Sequence, residues 1–152
     1  MEFTHESTVI IDAPIPVVYS DWVNADTLPH VLTHVRATAQ SDAEDLARLV
    51  IMLDGHHIEF AAQRTMCCES SICWQSMGDD FYYVLSVTFD ALDGGRTRVT
   101  AHVTYDPPGF LPDIFETLGL ARVFRRGLDE DMRRYAGCFR RQPELQTLAT
   151  AV

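Results

Sequence analysis

The sequence predicts an α+β fold in which a curved antiparallel sheet wraps around one long C-terminal helix. Three observations lead to this prediction. Segments in the middle of the chain alternate apolar and polar residues, which is the period of a strand with one buried face. Asp-Gly and Gly-Gly pairs separate several of these segments, as they do in hairpins. From about residue 113 to 142 the period becomes helical.

The length and composition predict one domain covering residues 1–152. A chain of 152 residues with 47% hydrophobic residues can bury roughly two thirds of the surface that its unfolded form exposes. The sequence contains no internal repeats and no low-complexity segments. Because a sheet curled around a helix tends to leave a hollow between them, we expect an internal cavity.

The chain begins with a predicted strand and a short helix. The strand "FTHESTVIIDA" (residues 3 to 13) stops at Pro14 and Pro16, because proline removes a hydrogen-bond donor and restricts its neighbours. The segment "PVVYSDWV" then predicts a short helix. A loop around Pro29 leads into the sheet.

The middle of the chain predicts an antiparallel meander. Its strands are, in order, "THVRATAQS", "DLARLVIML", "HHIEFAAQRTM", "SSICWQS", "FYYVLSVTFDAL" and "RTRVTAHVTYD". The last two show the clearest period of two, and their predicted inward residues are Phe81, Tyr83, Leu85, Val87 and Phe89, followed by Val99, Ala101, Val103 and Tyr105. The residues between them are expected to face water.

The long helix is predicted to be amphipathic, with one charged residue out of place. Its apolar arc contains Leu120, Phe124, Leu128, Met132, Tyr135 and Phe139. Most arginines of this segment lie roughly opposite. Asp131, seven residues after Phe124, falls inside the apolar arc. The sequence therefore predicts an inward carboxylate on this helix.

A similar exception occurs on the strand "HHIEFAAQRTM". Successive side chains of a strand point to opposite faces, so Ile58, Phe60 and Ala62 share one side. Arg64 lies on that same side. The sequence therefore predicts an inward guanidinium as well.

The charge balance excludes several classes of partner. The chain has 22 acidic and 12 basic residues, a formal net charge of −10, which argues against nucleic acid and against an anionic membrane surface. Every basic residue is arginine, so Schiff-base chemistry on lysine is excluded. Without a membrane-spanning run or a signal-peptide pattern, we expect a cytoplasmic protein with no membrane insertion.

The metal-ligating residue types do not form a recognisable site. His56 and His57 are adjacent on a strand and point to opposite faces, so with Glu59 they do not fit one ion. No C-x-x-C pair occurs among the cysteines, which we expect to be reduced, mostly buried thiols: Cys67, Cys68, Cys73 and Cys138. Nucleophilic triads and phosphate loops are also absent, and we expect neither a metal nor an organic cofactor.

Several segments together resemble a known family. "VIIDAPIPVVYSDWVNADTLPHVL", "ICWQS", "SVTFDALDGGRTRVTAHVTYDPPGF" and "LDEDMRRYAGCF" are similar, in order, to segments of the polyketide cyclase/dehydrase group. This group is part of the START/Bet v 1-like helix-grip superfamily (SRPBCC). The resemblance spans nearly the whole chain and implies a helix-grip fold with an internal cavity. Members include aromatase/cyclases, hydrolases, lipid carriers and plain binding proteins, so activity is less specified.

The resemblance extends to two of the charged residues. Aromatase/cyclases carry an aromatic-x-small-x-Arg run on a cavity-facing strand, and "FAAQR" ending at Arg64 is similar to it. A guanidinium in an apolar cavity could bind an enolate or a row of carbonyl oxygens. Alternatively, Arg64 pairs with Asp131 or Glu59, or lies at the rim and extends outward.

The remaining candidate residues have two interpretations each. Asp131, which resembles an aspartate of the cyclase/dehydrase group's last helix, is a candidate general base or a carboxylate that orients Arg64. A structural clamp between helix and sheet, or a hydrogen bond to backbone, is at least as good an explanation. Tyr83 is a candidate catalytic hydroxyl, or it simply packs. Candidate ligand-binding residues, each with core packing as the alternative, are Phe60, Trp74, Phe81, Tyr105, Phe124, Leu128 and Tyr135.

Three histidines complete the set of candidate polar residues. His5 shares a strand face with apolar residues and is a weak candidate for acid–base chemistry. His30 and His34 are expected at the cavity mouth.

These observations favour a cyclase or aromatase-like enzyme that binds a polyketide-type molecule in a deep cavity and promotes ring closure or dehydration. In this hypothesis Arg64, Asp131 and Tyr83 are catalytic. The alternative is a carrier that binds a hydrophobic or polyketide-like molecule without changing it. An acyl carrier protein docked on the arginine-rich helix face is a further candidate partner. The oligomeric state, including a homodimer, stays open.

Overall fold

The computed structural model describes residues 2–39, 45–53, 56–67, 70–78, 81–106 and 114–139. The strands are β1 (Phe3–Ile11), β2 (Val35–Ala39), β3 (Leu46–Leu53), β4 (His56–Cys67), β5 (Ser71–Ser76), β6 (Tyr83–Leu92) and β7 (Arg96–Tyr105). The helices are α1 (Ile15–Val23) and α2 (Leu28–Val31), both between β1 and β2, and α3 (Ile114–Gly137) after β7.

All seven strands form one antiparallel sheet in the order β1-β7-β6-β5-β4-β3-β2. The strands from β2 to β7 follow the chain as a meander, as the sequence predicts. β1 adds to the far edge by pairing with β7, in a register that places Phe3 opposite Tyr105 and Ile11 opposite Thr97. The predicted α+β class is confirmed, with α3 packed against β1 and α2.

The alternation of the strands explains which face of the sheet is buried. Inward residues of β6 and β7 are buried at every predicted position from Phe81 to Phe89 and from Val99 to Tyr105. On β4, Phe60 and Ala62 are buried, whereas Glu59 and Gln63 on either side of them are exposed. The β6–β7 hairpin turns at Gly94 and Gly95, whose φ angles of 79° and 72° suit glycine.

The apolar arc of α3 faces the sheet as predicted. Leu120, Phe124, Leu128, Met132 and Tyr135 are all buried. Asp131 is buried among them, with 3% of its surface exposed. The helix ends at Gly137, and the part of the predicted helix beyond residue 139 lies outside the described residues.

Helix α2 was not predicted from the sequence, which indicated a loop there. Pro29 lies in its first turn, where a missing N–H has no intrahelical partner to lose. Leu28 and Val31 are buried, so packing stabilises a helix that is too short to be stable alone.

Two cysteines can be compared with the expectation of reduced, mostly buried thiols. Cys73 and Cys138 are both free, but Cys73 is half-buried and Cys138 is exposed. The expectation of burial is therefore wrong for Cys138, because it follows the last turn of α3. The side chains of Cys67 and Cys68 lie outside the described residues. Within the described chain, no helix combines the length and apolarity needed to cross a bilayer.

A buried hydroxyl joins the chain between β1 and α1 to the sheet. Thr97 Oγ1 on β7 donates a 2.8 Å hydrogen bond to the carbonyl of Ala13, and Thr97 is fully buried. This contact fixes where the chain leaves the sheet edge to begin α1.

We expect Thr97→Val to lower the free energy of unfolding by about 1 to 2 kcal/mol, because the Ala13 carbonyl loses this donor while remaining buried. Urea unfolding followed by circular dichroism measures the change. Thr104→Val, on the outer side of the same strand, is the control, with an expected change below about 0.5 kcal/mol. Equal losses in the two variants would contradict this account of Thr97.

Candidate ligand site beneath the C-terminal helix

A cleft of about 240 Å³ lies between α3 and the segment that joins α2 to β2. Its lining residues are Thr33, His34, Met52, Leu120, Val123, Phe124, Gly127 and Asp131. Small-molecule sites in proteins usually enclose roughly 300 to 1,000 Å³. Within the described residues, the structure therefore has a small cleft where the sequence predicted a deep internal cavity.

Two histidine–tyrosine pairs lie on the inner side of the sheet, and of their four residues His34 alone lines this cleft. The hydroxyl of Tyr83 is 3.1 Å from Nε2 of His34, and the hydroxyl of Tyr105 is 3.4 Å from Nε2 of His5. Tyr83 and Tyr105 are direct partners in the β6–β7 register, so the two pairs are neighbours. The fold thus brings together four polar rings from β1, the α2–β2 loop, β6 and β7.

Phe124 of α3 lies between the two histidines. Its ring stacks on that of His5 at 5.4 Å and meets the ring of His34 edge-on at 4.5 Å. It also contacts Tyr105 at 4.8 Å. One helix side chain therefore fixes the orientation of both imidazoles.

Burial keeps the four polar rings neutral. It lowers the pKa of His34 to about 3 and raises the pKa of Tyr83 well above its ordinary value, because both charged forms lose hydration. Burial likewise raises the pKa of Tyr105 to about 12. For His5, burial and then the charge of Arg125 lower the pKa. At neutral pH each pair is an uncharged hydroxyl and imidazole joined by one hydrogen bond. The polar hydrogen that is not used in this bond can be donated to a ligand carbonyl.

Asp131 holds the loop that carries His34. Its Oδ2 accepts a 3.0 Å hydrogen bond from the backbone N–H of Thr33, and the Thr33 hydroxyl donates to Oδ1 at 3.0 Å. Arg134 Nη1 lies 3.3 Å from Oδ1, while its Nη2 donates to the carbonyl of Val31. These contacts include the hydrogen bond to backbone that the sequence left as an alternative, and together they clamp α3 to the segment between α2 and β2. The proposed role as a general base stays a prediction.

Arg64 points inward but toward α1 rather than toward α3. Its Nη1 donates to the carbonyl of Val23, the last residue of α1, and its Cζ lies 5.8 Å from the centre of the Trp74 ring. Trp74 in turn donates through Nε1 to the carbonyl of Trp22. A cation at a helix C-terminus is favourable for the helix dipole. Arg64 is not among the residues that line the cleft, so its role as a carbonyl anchor stays a prediction.

The ion pairs that the sequence left as an alternative for Arg64 do not form within the described residues. Asp131 binds Thr33 and Arg134 instead, and Glu59 forms a 2.7 Å bridge with Arg48 on the outer face of the sheet. The sequence could not distinguish these partners, because a backbone carbonyl as the partner of Arg64 has no residue-type signature.

The other predicted binding residues mostly pack in the core. Phe60 and Phe81 contact the ring of Tyr83 at 5.6 and 6.3 Å. Tyr135 donates to Oδ2 of Asp21 at 2.8 Å, and Leu128 is buried. Ligand contact by these residues stays a prediction.

The histidines divide between the site and the surface. His34 lines the cleft as expected, whereas His30 is exposed. His57 is exposed on the outer face, and the side chain of His56 lies outside the described residues. Thr33 was missed by sequence analysis, because its role depends on a carboxylate 98 residues away.

Solved structures share this architecture. A START superfamily protein from Mycobacterium smegmatis is 14% identical, with a TM-score of 0.68 over 90% of this chain and 99% of that one. The Zhui aromatase/cyclase from Streptomyces sp. R1128 is 14% identical, with a TM-score of 0.59 over 89% of this chain and 96% of its own.

The di-domain aromatase/cyclase StfQ of the steffimycin biosynthetic pathway is 14% identical, with a TM-score of 0.65 over 91% of this chain. The match covers 51% of StfQ, about half its length. No protein-family model and no curated protein sequence matches this chain. These similarities establish the helix-grip fold, as the sequence resemblance implied, and at such low identity they establish the fold alone.

We expect Asp131→Ala to lower the free energy of unfolding by about 1.5 to 3 kcal/mol, because the backbone N–H and the hydroxyl of Thr33 both lose their carboxylate acceptor. Chemical denaturation measures the loss, and hydrogen exchange should show faster exchange at the Thr33 amide. Glu130→Ala, an exposed neighbour on the same helix, should change stability by less than about 0.5 kcal/mol. An unchanged Thr33 amide in the Asp131 variant would show that the clamp is unimportant.

The lowered pKa of His34 makes stability depend on pH. The unfolded chain protonates His34 below its ordinary pKa of 6.5, whereas the folded protein does so only near 3. The free energy of unfolding should therefore fall as pH drops from about 6.5 toward 3. His34→Gln should show a shallower fall over this interval. The lowered pKa of His5 also makes stability fall at low pH, but its contribution is the same in wild type and in His34→Gln. The difference between the two pH profiles therefore reports on His34. Parallel pH profiles for the two proteins would contradict the assignment.

Proposed function

We propose that this protein is a small-molecule enzyme of the cyclase or aromatase type, which promotes ring closure and dehydration of a polyketide-type molecule. The observation that carries the proposal is the pair of neutral hydroxyl–imidazole contacts, Tyr83 with His34 and Tyr105 with His5, side by side at the inner face of the sheet. Aromatase/cyclases share the fold. A purely apolar interior would instead favour a carrier.

The proposed reaction needs only groups that the chain supplies. A methylene between two carbonyls loses a proton, and the resulting enolate carbon forms a bond to another carbonyl carbon of the same molecule. The new alkoxide takes up a proton, and loss of water completes the dehydration. Atoms and electrons balance without an oxidant, a reductant or a second substrate.

Tyr83 is the residue we assign to the developing oxyanion. Its buried hydroxyl stays protonated, because burial raises its pKa, and a neutral donor in a water-poor site stabilises negative charge strongly. In this assignment His34 Nε2–H donates to the Tyr83 oxygen, which leaves the phenolic O–H free for the oxyanion. The lone pair on His34 Nδ1 then accepts the methylene proton and later returns it. A lowered pKa makes His34 a weak base in the free protein. An adjacent enolate favours the imidazolium form and raises that pKa as charge develops.

The cleft must widen to admit a substrate of this size. Gly127 lies in its wall, and a Cβ added there would meet no atom within 4 Å, so open space adjoins the helix at this point. Val123, also in the wall, has 65% of its surface exposed. Both residues belong to the same stretch of α3 as Phe124, which makes this stretch the proposed entrance.

We expect Tyr83→Phe to reduce kcat/KM on a synthetic poly-β-ketone by about 100- to 1,000-fold, because the phenyl ring keeps the packing but removes the donor. Liquid chromatography with mass spectrometry follows the cyclised product by its loss of water. Native mass spectrometry checks that the variant still binds the substrate.

Tyr82→Phe is the matched control for this experiment. Tyr82 is the preceding residue and has 39% of its surface exposed, so turnover should be unchanged. Equal turnover by Tyr83→Phe and wild type would remove Tyr83 from the mechanism. Wild-type protein that binds the poly-β-ketone and returns it unchanged would contradict the enzyme proposal and favour the carrier.

A further inference from the structure

A second pocket, of about 210 Å³, lies between β1 and α3. Its lining residues are Phe3, Thr4, His5, Ala121, Arg122 and Arg125. It is distinct from the cleft that contains His34, although Phe124 contacts both His34 and His5. None of the chemistry proposed above makes use of its arginines.

The pocket is positively charged in a protein with a net charge of −10. Arg122 and Arg125 lie on the exposed side of α3 next to the pocket. Among the described residues, no carboxylate forms an ion pair with either guanidinium. After burial, the positive charge of Arg125 lowers the pKa of the His5 imidazole further, and the negative charge of Asp129 raises it. This local field favours an anion.

His5 supplies an unpartnered ring nitrogen in the pocket wall. It is 4% exposed, and its Nδ1 is buried without a hydrogen-bond partner in the described part of the chain. When the Tyr105 hydroxyl donates to Nε2, the proton of the neutral imidazole is on Nδ1. A buried N–H without a partner is unfavourable, so an acceptor that reached it would be bound favourably.

The remaining lining indicates what the anion is attached to. Phe3 and Ala121 are apolar, and the Thr4 hydroxyl already interacts with Thr104 on the outer face of the sheet. A strongly hydrated anion such as phosphate gains little from such a surface. An acid with an apolar body gains from both parts, since the paired N–H donors of a guanidinium match the two oxygens of a carboxylate.

We infer that the pocket between β1 and α3 binds the carboxylate of an apolar organic acid, with Arg122 and Arg125 holding the carboxylate and Phe3 packing on the apolar body. This site goes beyond the proposed reaction and does not depend on it. A molecule bound there lies next to His5, and through Phe124 it adjoins the cleft.

The experiment titrates ¹⁵N-labelled protein with benzoate, with benzamide as its neutral isostere, and with inorganic phosphate. Benzoate should cause saturable chemical-shift changes centred on His5, Ala121 and Arg125. Benzamide should cause none at the same concentrations, and phosphate should bind more weakly. Arg125→Gln should weaken benzoate binding about tenfold, because it removes a charge-assisted hydrogen bond.

Arg126→Gln is the matched control. It makes the same change in net charge on the next residue of the same helix, which does not line the pocket, so benzoate affinity should stay within about twofold of wild type. Equal shifts with benzoate and benzamide, equal losses in the two variants, or phosphate binding as tight as benzoate would each overturn the inference. Because no turnover is measured, failure here is distinguishable from failure of the Tyr83→Phe experiment.

Discussion

The pairing of β1 with β7 is the constraint on which the rest of the molecule depends. It joins the first strand to the last one across roughly a hundred residues and makes β1 an edge strand that α3 covers. Without this pairing His5 would not lie next to Tyr105, and the second pocket would have no inner wall. The register between β1 and β7 therefore determines both the shape of this part of the protein and the contact between His5 and Tyr105.

Next to β2, the opposite edge strand of the same sheet, a single carboxylate has a comparable effect. Asp131 binds the backbone and hydroxyl of Thr33, and the next residue is His34, whose imidazole meets Tyr83. The buried charge is tolerable because Thr33 and Arg134 compensate it. In this arrangement Asp131 positions His34 by holding the preceding residue, Thr33. The reacting groups that we propose are uncharged. Because Tyr83 and Tyr105 are buried, their hydroxyl groups meet little competition from water.

The sequence predicted the sheet well because its information is local. The period of two in β6 and β7 placed Tyr83 and Tyr105 inside, and the helical period placed both Phe124 and Asp131 on the buried face. What it could not predict are contacts between elements far apart in the chain. The acceptor of Arg64 is a backbone carbonyl at the end of α1, and any residue type could have supplied it. The partners of the histidines likewise depend on a register that residue types alone do not determine.

The junction between α1 and the sheet has one further consequence, for optical spectroscopy. The chain has only two tryptophans, and both are in this junction: the carbonyl of Trp22 accepts the indole N–H of Trp74, and Arg64 lies near the Trp74 ring. Indole emission should therefore report separation of α1 from β4 and β5, while tyrosine and phenylalanine rings surround the proposed reaction site. Excitation at the red edge of the indole absorption therefore reports on this junction alone, because the tyrosines do not absorb there.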